Sequence, residues 1–345
     1  MKAAEERERW LGFIERCFPG RYAGGALPEL ELLAGGGSAR RFYRVGGAGP
    51  GSVLMVNPAP PADPSGRVDE NDSYVYLAGL LRKVGAGAPE VYGYERVPGL
   101  VLMEDLGDRH LRDQVLARGA GSAWTGRTYR RLLDLLLVVQ LDGGAVFEPE
   151  RVFNPAYDAG FMFAAEGLYF AEYFVEKHCG ARADRLRDEL RALAGRAGES
   201  FGQRVLLYRD FQSSNIILGP ADELRLLDFQ GARPGPPAYD AASLLYDPYV
   251  ALPEGLRSEL LDYYRRKLAG RSAGVAREFG LQFPLIAAHR LMQVLGAYAK
   301  LSLVDRKDSF LQYVPSALAG LREVLSAGVF DDYPLLRAEA ARLGS

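Results

Sequence analysis

The residue types with the most chemistry concentrate in one stretch, Leu206-Leu207-Tyr208-Arg209-Asp210-Phe211-Gln212-Ser213-Ser214-Asn215-Ile216-Ile217-Leu218, followed by Leu226-Leu227-Asp228-Phe229-Gln230-Gly231. An apolar run ends at an Arg-Asp pair, an asparagine follows in the spacing Asp-x4-Asn, and a second apolar run delivers Asp228. Phosphoryl transfer from a nucleotide asks for this inventory: a carboxylate to orient the attacking hydroxyl and accept its proton, and hard oxygen ligands to hold Mg²⁺ on the phosphates. On this reading Asp210 is the base, and Asn215 and Asp228 are the metal ligands.

Residues so far apart in sequence must be brought together by the chain between them. Two short apolar runs, 215–218 and 224–227, flank the turn Gly219-Pro220-Ala221-Asp222, which predicts a hairpin with both metal ligands at one end. The hairpin is set into helical sequence. Apolar residues at 3.6-residue spacing predict helices over 129–141, 157–178, 181–193, 239–246, 254–268, 284–301 and 310–325. Before Asp105 the texture differs: strands are predicted over 41–45, 52–56, 91–94 and 100–103, separated by Gly and Pro clusters, with one helix over 70–84. The change places a boundary between a lobe of residues 1–104 and a lobe of residues 105–345.

Composition narrows the class. With 345 residues, 48% apolar and 25% charged, the chain can bury a large core and is neither disordered, collagenous nor a small disulfide scaffold. Its 42 basic and 44 acidic residues give a net charge of −2 with no long one-sign block, which argues against a nucleic-acid or polybasic membrane partner. Cys17 and Cys179 lie far apart, the start is charged rather than apolar, and the apolar run 132–141 is interrupted by Asp134 and Gln140. A cytoplasmic protein is expected. His110, His178 and His289 have no partners at ligand spacing, so no zinc site is expected. Nothing in the sequence specifies an oligomeric state.

The Asp-x4-Asn and Asp-Phe pattern resembles the catalytic loop and metal-binding turn shared by protein kinases and the aminoglycoside phosphotransferase family. The run Asp228-Phe229-Gln230-Gly231-Ala232, Gly235-Pro236, Tyr239-Asp240-Ala241-Ala242-Ser243-Leu244-Leu245 and Asp247 resembles one branch of it, the anomeric kinases of N-acetylmuramate and N-acetylglucosamine. So do Gly37-Ser38-Ala39-Arg40-Arg41-Phe42-Tyr43-Arg44-Val45, the hinge-like Leu102-Met103-Glu104-Asp105-Leu106-Gly107-Asp108, and the segments 289–301 and 310–315. The resemblance implies an α+β, two-lobed protein-kinase-like fold with a small β-rich N-lobe and a large mainly helical C-lobe. It also implies ATP and Mg²⁺ as cofactors and a sugar hydroxyl, the anomeric one of an amino sugar, as acceptor. Glu104 and the backbone around Asp105 and Leu106 would meet the nucleobase; Ser38 and Arg40 would meet the phosphates. An aminoglycoside or choline-type acceptor and a nucleotide-binding pseudokinase are the alternatives. The direct run from Asp228 into Asp240 leaves no room for the long activation segment of a protein kinase.

Several positions depart from the branch. Tyr208 stands where many relatives carry His, and Ser214 and Tyr246 replace arginines, which removes two candidate partners for a carboxylate on the acceptor. The second strand, Ser52-Val53-Leu54-Met55-Val56-Asn57, lacks the phosphate-binding lysine, so Arg40 or Arg41 must supply that charge, and alternation does not say which. Arg209 is expected to brace the loop and Asp240 to cap a helix and tether the loop. Gly35-Gly36-Gly37 reads equally as a phosphate cradle or a plain turn, and Glu70 as a partner of the phosphate-binding cation or as helix-dipole complementation. The aromatic run Phe161, Phe163, Tyr169, Phe170, Tyr173 and Phe174 reads as core packing before sugar stacking.

Overall fold

Strand-forming residues at the start of the chain pair into one antiparallel sheet. In a computed structural model, which describes residues 2–20, 28–33, 40–47, 51–57 and 67–343, the strands are β1 (Leu30–Leu32), β2 (Arg41–Val45), β3 (Ser52–Val56), β4 (Val91–Glu95) and β5 (Leu100–Glu104). Their order is β1-β2-β3-β5-β4, with Arg41 opposite Val56 and Ser52 opposite Glu104. Gly35 to Gly37 and Ser38, expected near the phosphates, lie outside the described residues.

The pleat sends alternate residues to opposite faces. On one face Val45, Leu54, Val56, Leu100 and Leu102 meet Trp10, Phe13 and Ile14 of helix α1 (Lys2–Cys17). This helix was not expected, although Trp10, Phe13, Ile14 and Cys17 follow the spacing of a helical stripe. Helix α2 (Glu70–Lys83) begins with a reciprocal capping box between Asp69 and Asp72, and its buried Tyr74 donates its hydroxyl to Met103 Sδ at 2.9 Å. Met103 points away from the Leu102 face, so the sheet is covered on both sides.

Internal packing divides the chain into two units: Met1–Arg109 with Glu148–Phe153 and Ile217–Gln230, and His110–Phe147 with Asn154–Ile216 and Gly231–Ser345. The expected hairpin is present as β7 (Ile216–Leu218) and β8 (Leu224–Leu226). Within the first unit it is joined to the sheet side by Arg225, which forks onto both oxygens of Glu104 at 3.0 and 2.6 Å, and by Leu226 N donating to Gly87 O at 3.2 Å. Gly87 is required there: its φ is +73°, and a Cβ would lie 2.4 Å from Leu224 O.

The second unit is helical around a short ladder of β6 (Val205–Leu207) and β9 (Arg233–Gly235). Its helices are α3 (Leu111–Arg118), α4 (Ala123–Leu137), α5 (Ala159–Met162), α6 (Leu186–Glu199), α7 (Ala238–Leu245), α8 (Glu254–Arg271), α9 (Ala273–Leu303), α10 (Val314–Leu325) and α11 (Pro334–Arg342). Helix α9 starts well before the expected position, because Val275, Phe279 and Phe283 bury an earlier stretch and the helix continues through Pro284. The expected helices over 129–141 and 157–178 widen into π turns at Val138–Gly143, Phe163–Gly167 and Phe170–His178.

Candidate active site

In the second unit β6 ends at Leu207 and the chain turns through Arg209, whose φ of 83° is rare for a residue with a Cβ. Asp240 in α7 imposes that turn. Its Oδ2 accepts from Tyr208 N and its Oδ1 from Arg209 N, both at 2.8 Å, and Gln140 Nε2 donates to Oδ2 at 3.2 Å. Ser243 Oγ adds a bond to Arg209 O at 3.1 Å. Asp240 is therefore a tether, as the resemblance implied, but it is not the helix cap: that position belongs to Pro237. Burial pushes its carboxyl up to about 7 against the pull of the Tyr208 and Arg209 N–H groups.

Past Asp210, one 3₁₀ turn, Ser213–Asn215, carries the loop into β7. Asn215 Nδ2 donates to Asp210 O at 2.9 Å, and Ser213 N donates to Asp247 Oδ2 at 2.7 Å. Asp240 and Asp247 thus clamp the loop on either side of Asp210. The Asp210 side chain is 20% exposed, with Arg290 Nη1 3.5 Å from Oδ1 and Arg209 Nη1 3.6 Å from Oδ2. Beneath them Glu166 accepts from the hydroxyls of Tyr157 at 2.6 Å and Tyr239 at 3.0 Å, and burial pushes its carboxyl up to about 7. Arg233 is buried as well; desolvation and the nearby charge of Arg209 lower it to about 10.

The sequence does not single out Arg290 as a contact of Asp210, Asp247 as a contact of its loop, or Glu166 as the acceptor for Tyr157 and Tyr239. Arg290 had one sequence signal, a charge inside the apolar stretch 284–295. Tyr246, which replaces an expected arginine, is occupied: its hydroxyl donates to Glu323 Oε1 at 3.0 Å and Arg257 stacks 4.7 Å from its ring centroid.

The first unit holds the other half of the motif. Asp228 follows β8 with a φ of 64°, and its Oδ1 accepts from Gln230 Nε2 at 2.7 Å. Phe229 stacks on Tyr74 of α2, centroids 4.7 Å apart. Burial raises the Tyr74 hydroxyl; the charge of Arg40 lowers it and that of Asp228 raises it, so both charges reach this ring. Arg40 Nη2 pairs with Glu70 Oε1 at 3.2 Å, whereas Arg41 lies over the Trp10 ring at 5.5 Å. Asn57, at the end of the strand that lacks a lysine, donates to Glu70 Oε2 at 3.4 Å and Asn71 Oδ1 at 2.9 Å.

At the expected hinge, Glu104 is engaged by Arg225, and Asp105 N already donates to Gly51 O at 3.0 Å. Asp105 Oδ2 accepts from Arg44 Nε at 2.6 Å. Leu106, half-buried, follows directly.

The donor types suit magnesium. Asn215, whose amide nitrogen donates to Asp210 O, carries an amide oxygen, and Asp228 carries a carboxylate, both hard oxygen donors. Among the described residues no group of three or more His, Cys, Asp or Glu forms a metal cluster, so the fit is to an ion that takes its remaining ligands from phosphate and water. Among the same residues no helix is long and apolar enough to cross a membrane.

Residues 29–277 match the model of the phosphotransferase enzyme family. Over 322 residues the chain is 28% identical to the N-acetylmuramate/N-acetylglucosamine kinase of Pseudomonas aeruginosa, covering 88% of this chain and 87% of that protein. It is 26% identical over 337 residues to the protein of the same name from Pseudomonas putida, covering 93% and 89%. Its fold resembles that of the choline/ethanolamine kinase family protein from Mesorhizobium loti, with a TM-score of 0.57 at 15% identity over 95% of this chain and 99% of that one.

Proposed function

The chain belongs to the phosphotransferase enzyme family, and on that premise we propose that it transfers the γ-phosphoryl group of ATP to the anomeric hydroxyl of an amino sugar of the N-acetylglucosamine or N-acetylmuramate type. Asp210 orients the acceptor hydroxyl and takes its proton. Asn215 and Asp228, which flank the two strands of one hairpin, hold Mg²⁺. Magnesium, when bound, neutralises phosphate charge and keeps the reacting phosphorus open to attack. Arg40, steadied by Glu70, takes the place of the missing lysine. Leu106 offers its backbone to the nucleobase, with Glu104 bracing the hinge through Arg225. Residues 1–104 then serve the nucleotide and 105–345 the catalytic loop and acceptor. Such an enzyme spends ATP in the cytoplasm.

The observation that carries this reading is the clamped loop: Asp240 and Asp247 fix the backbone around a partly exposed Asp210. The same charges favour a sugar over a choline-like acceptor. Arg209 and Arg290 flank Asp210 and Arg233 is near enough to feel its charge, a field that repels a quaternary ammonium and tolerates a neutral or anionic ring. The two relatives, matched over most of their length, carry the sugar kinase name.

The test is MgATP consumption with N-acetylglucosamine, N-acetylmuramate, choline and an aminoglycoside, with the product's phosphorylated carbon identified by NMR. A sugar 1-phosphate is expected, and Asp210→Asn abolishes it while the variant still binds nucleotide. A 6-phosphate, a choline phosphate or near-normal turnover by Asp210→Asn refutes the proposal.

A further inference from the structure

We infer that Arg290 is a positioning residue for this reaction: from the middle of α9 it fixes the orientation of the Asp210 carboxylate, and so the line along which the acceptor hydroxyl attacks. The inference rests on the reading of Asp210 as the group that takes the acceptor's proton.

Arg290 is 4% exposed, in a helix whose buried residues are mostly apolar. A guanidinium is planar and permanently charged, and burying it is costly unless it is paired. Its hydrogen bonds go to neutral partners. Nη1 donates to Gln293 Oε1 at 2.6 Å, Nη2 donates to Gln212 Oε1 at 3.1 Å, and the group lies 5.5 Å from the Tyr239 ring centroid. Two amide oxygens and a ring face orient the guanidinium without neutralising it. Among the described residues the carboxylate at ion-pair distance is Asp210, whose Oδ1 is 3.5 Å away. Gln212 belongs to the same loop as Asp210, so one guanidinium grips both the loop and its reactive side chain.

The Asp210 carboxylate, for its part, is steered by charge. Arg290 and Arg209 stand at 3.5 and 3.6 Å from its two oxygens, and among the described residues neither oxygen accepts a hydrogen bond. Its lone pairs therefore face the acceptor hydroxyl while the two guanidinium groups hold the side chain in place. A methionine would fill the space of Arg290 at a smaller desolvation cost, so stability is not what the charge provides. Arg209 is the more exposed flank, with 35% of its side chain accessible; Arg290 is the fixed one.

The experiment compares Arg290→Met and Arg290→Lys with the parent enzyme in steady-state kinetics with MgATP and N-acetylglucosamine, or with whichever acceptor of the panel above turns over. Urea unfolding is measured in parallel. Arg290→Met should lower kcat roughly 10²-fold, the loss expected when a reacting group is misplaced by about an ångström, with both KM values within about threefold. Arg290→Lys, which keeps the charge but loses the planar fork, should lie between the two. If Arg290→Met fails to fold, Arg290→Lys carries the test with the same split of kcat from KM. Unchanged kcat in the variant that folds, or a raised KM at unchanged kcat, overturns the inference. Asp210→Asn losing turnover while Arg290→Met keeps it defeats this inference alone; Asp210→Asn at full turnover defeats the reading of Asp210.

Discussion

Asp240 gives the sharpest test of how the loop is held. The carboxylate is fully buried and accepts from two backbone N–H groups, those of Tyr208 and Arg209, and from the Gln140 amide. In Asp240→Ala both N–H groups lose their acceptor inside the protein, whereas Gln140 Nε2 retains Pro237 O at 3.1 Å. A buried donor left unsatisfied costs about 1–3 kcal/mol, so the alanine variant should lose roughly 2–6 kcal/mol of stability. Asp240→Asn behaves differently. Its NH₂ can face either the single donor at Oδ1 or the two donors at Oδ2, and the cheaper choice sacrifices only the bond from Arg209 N, about 1–3 kcal/mol. Urea unfolding ranks the three proteins, and kcat should fall in the same order because Arg209 adjoins Asp210. An alanine variant within about 0.5 kcal/mol of the parent, or an asparagine variant as damaged as the alanine one, would refute the tether argument.

Two further expectations follow from the charges. Glu166 stands at about 7 in the fold against an ordinary 4.5 because burial disfavours its ionised form, so its share of stability is present below about pH 4.5 and lost as the pH rises through about 7. That rise corresponds to roughly 3 kcal/mol, and Glu166→Gln, which cannot ionise and keeps an acceptor oxygen for one of the Tyr157 and Tyr239 hydroxyls, should lose less stability than the parent between pH 5 and 8. Parallel unfolding curves across that range would contradict it. Arg40→Met should raise the KM for ATP about tenfold or more, the worth of a charge-assisted hydrogen bond, while Arg41→Met, which faces Trp10, should leave it unchanged. Equal effects of the two substitutions would remove Arg40 from the phosphate site.

The choice between those arginines shows where sequence reasoning stops. Strand alternation orders residues by face but says nothing about what covers each face. Arg41 is occupied by Trp10, and α1 is hidden behind a charged start whose apolar stripe begins only at Trp10. Elements with local signals were legible: the strands β2, β3, β4 and β5, the capped helix α2, and the β7–β8 hairpin each follow from periodicity and turn residues within one short window. Those that were not legible break a local rule for a tertiary reason. Helix α9 passes through Pro284, β9 contains Pro234, and α4 continues into a π turn at Val138–Gly143. In each, burial against distant residues overrides a preference that the sequence displays.

The same division runs through the candidate site. Asp210, Asn215 and Asp228 were readable because their spacing is covalent, whereas the groups that make Asp210 usable come from α7 and α9, far along the chain. Two of the motif's own residues sit in the left-handed region, and for different reasons. Asp228 belongs to a residue type that tolerates φ of 64°, but Arg209 at 83° does not, and such a conformation costs of order 1–3 kcal/mol. A glycine there would relieve the strain and would also delete the guanidinium 3.6 Å from Asp210 Oδ2. The tether from Asp240 and the Ser243 bond hold the strained turn in place, so the stability given up at Arg209 and the buried carboxylate of Asp240 are two sides of one arrangement. A local rule is broken at the residue beside the reactive carboxylate, and the structure around it supplies the compensating contacts.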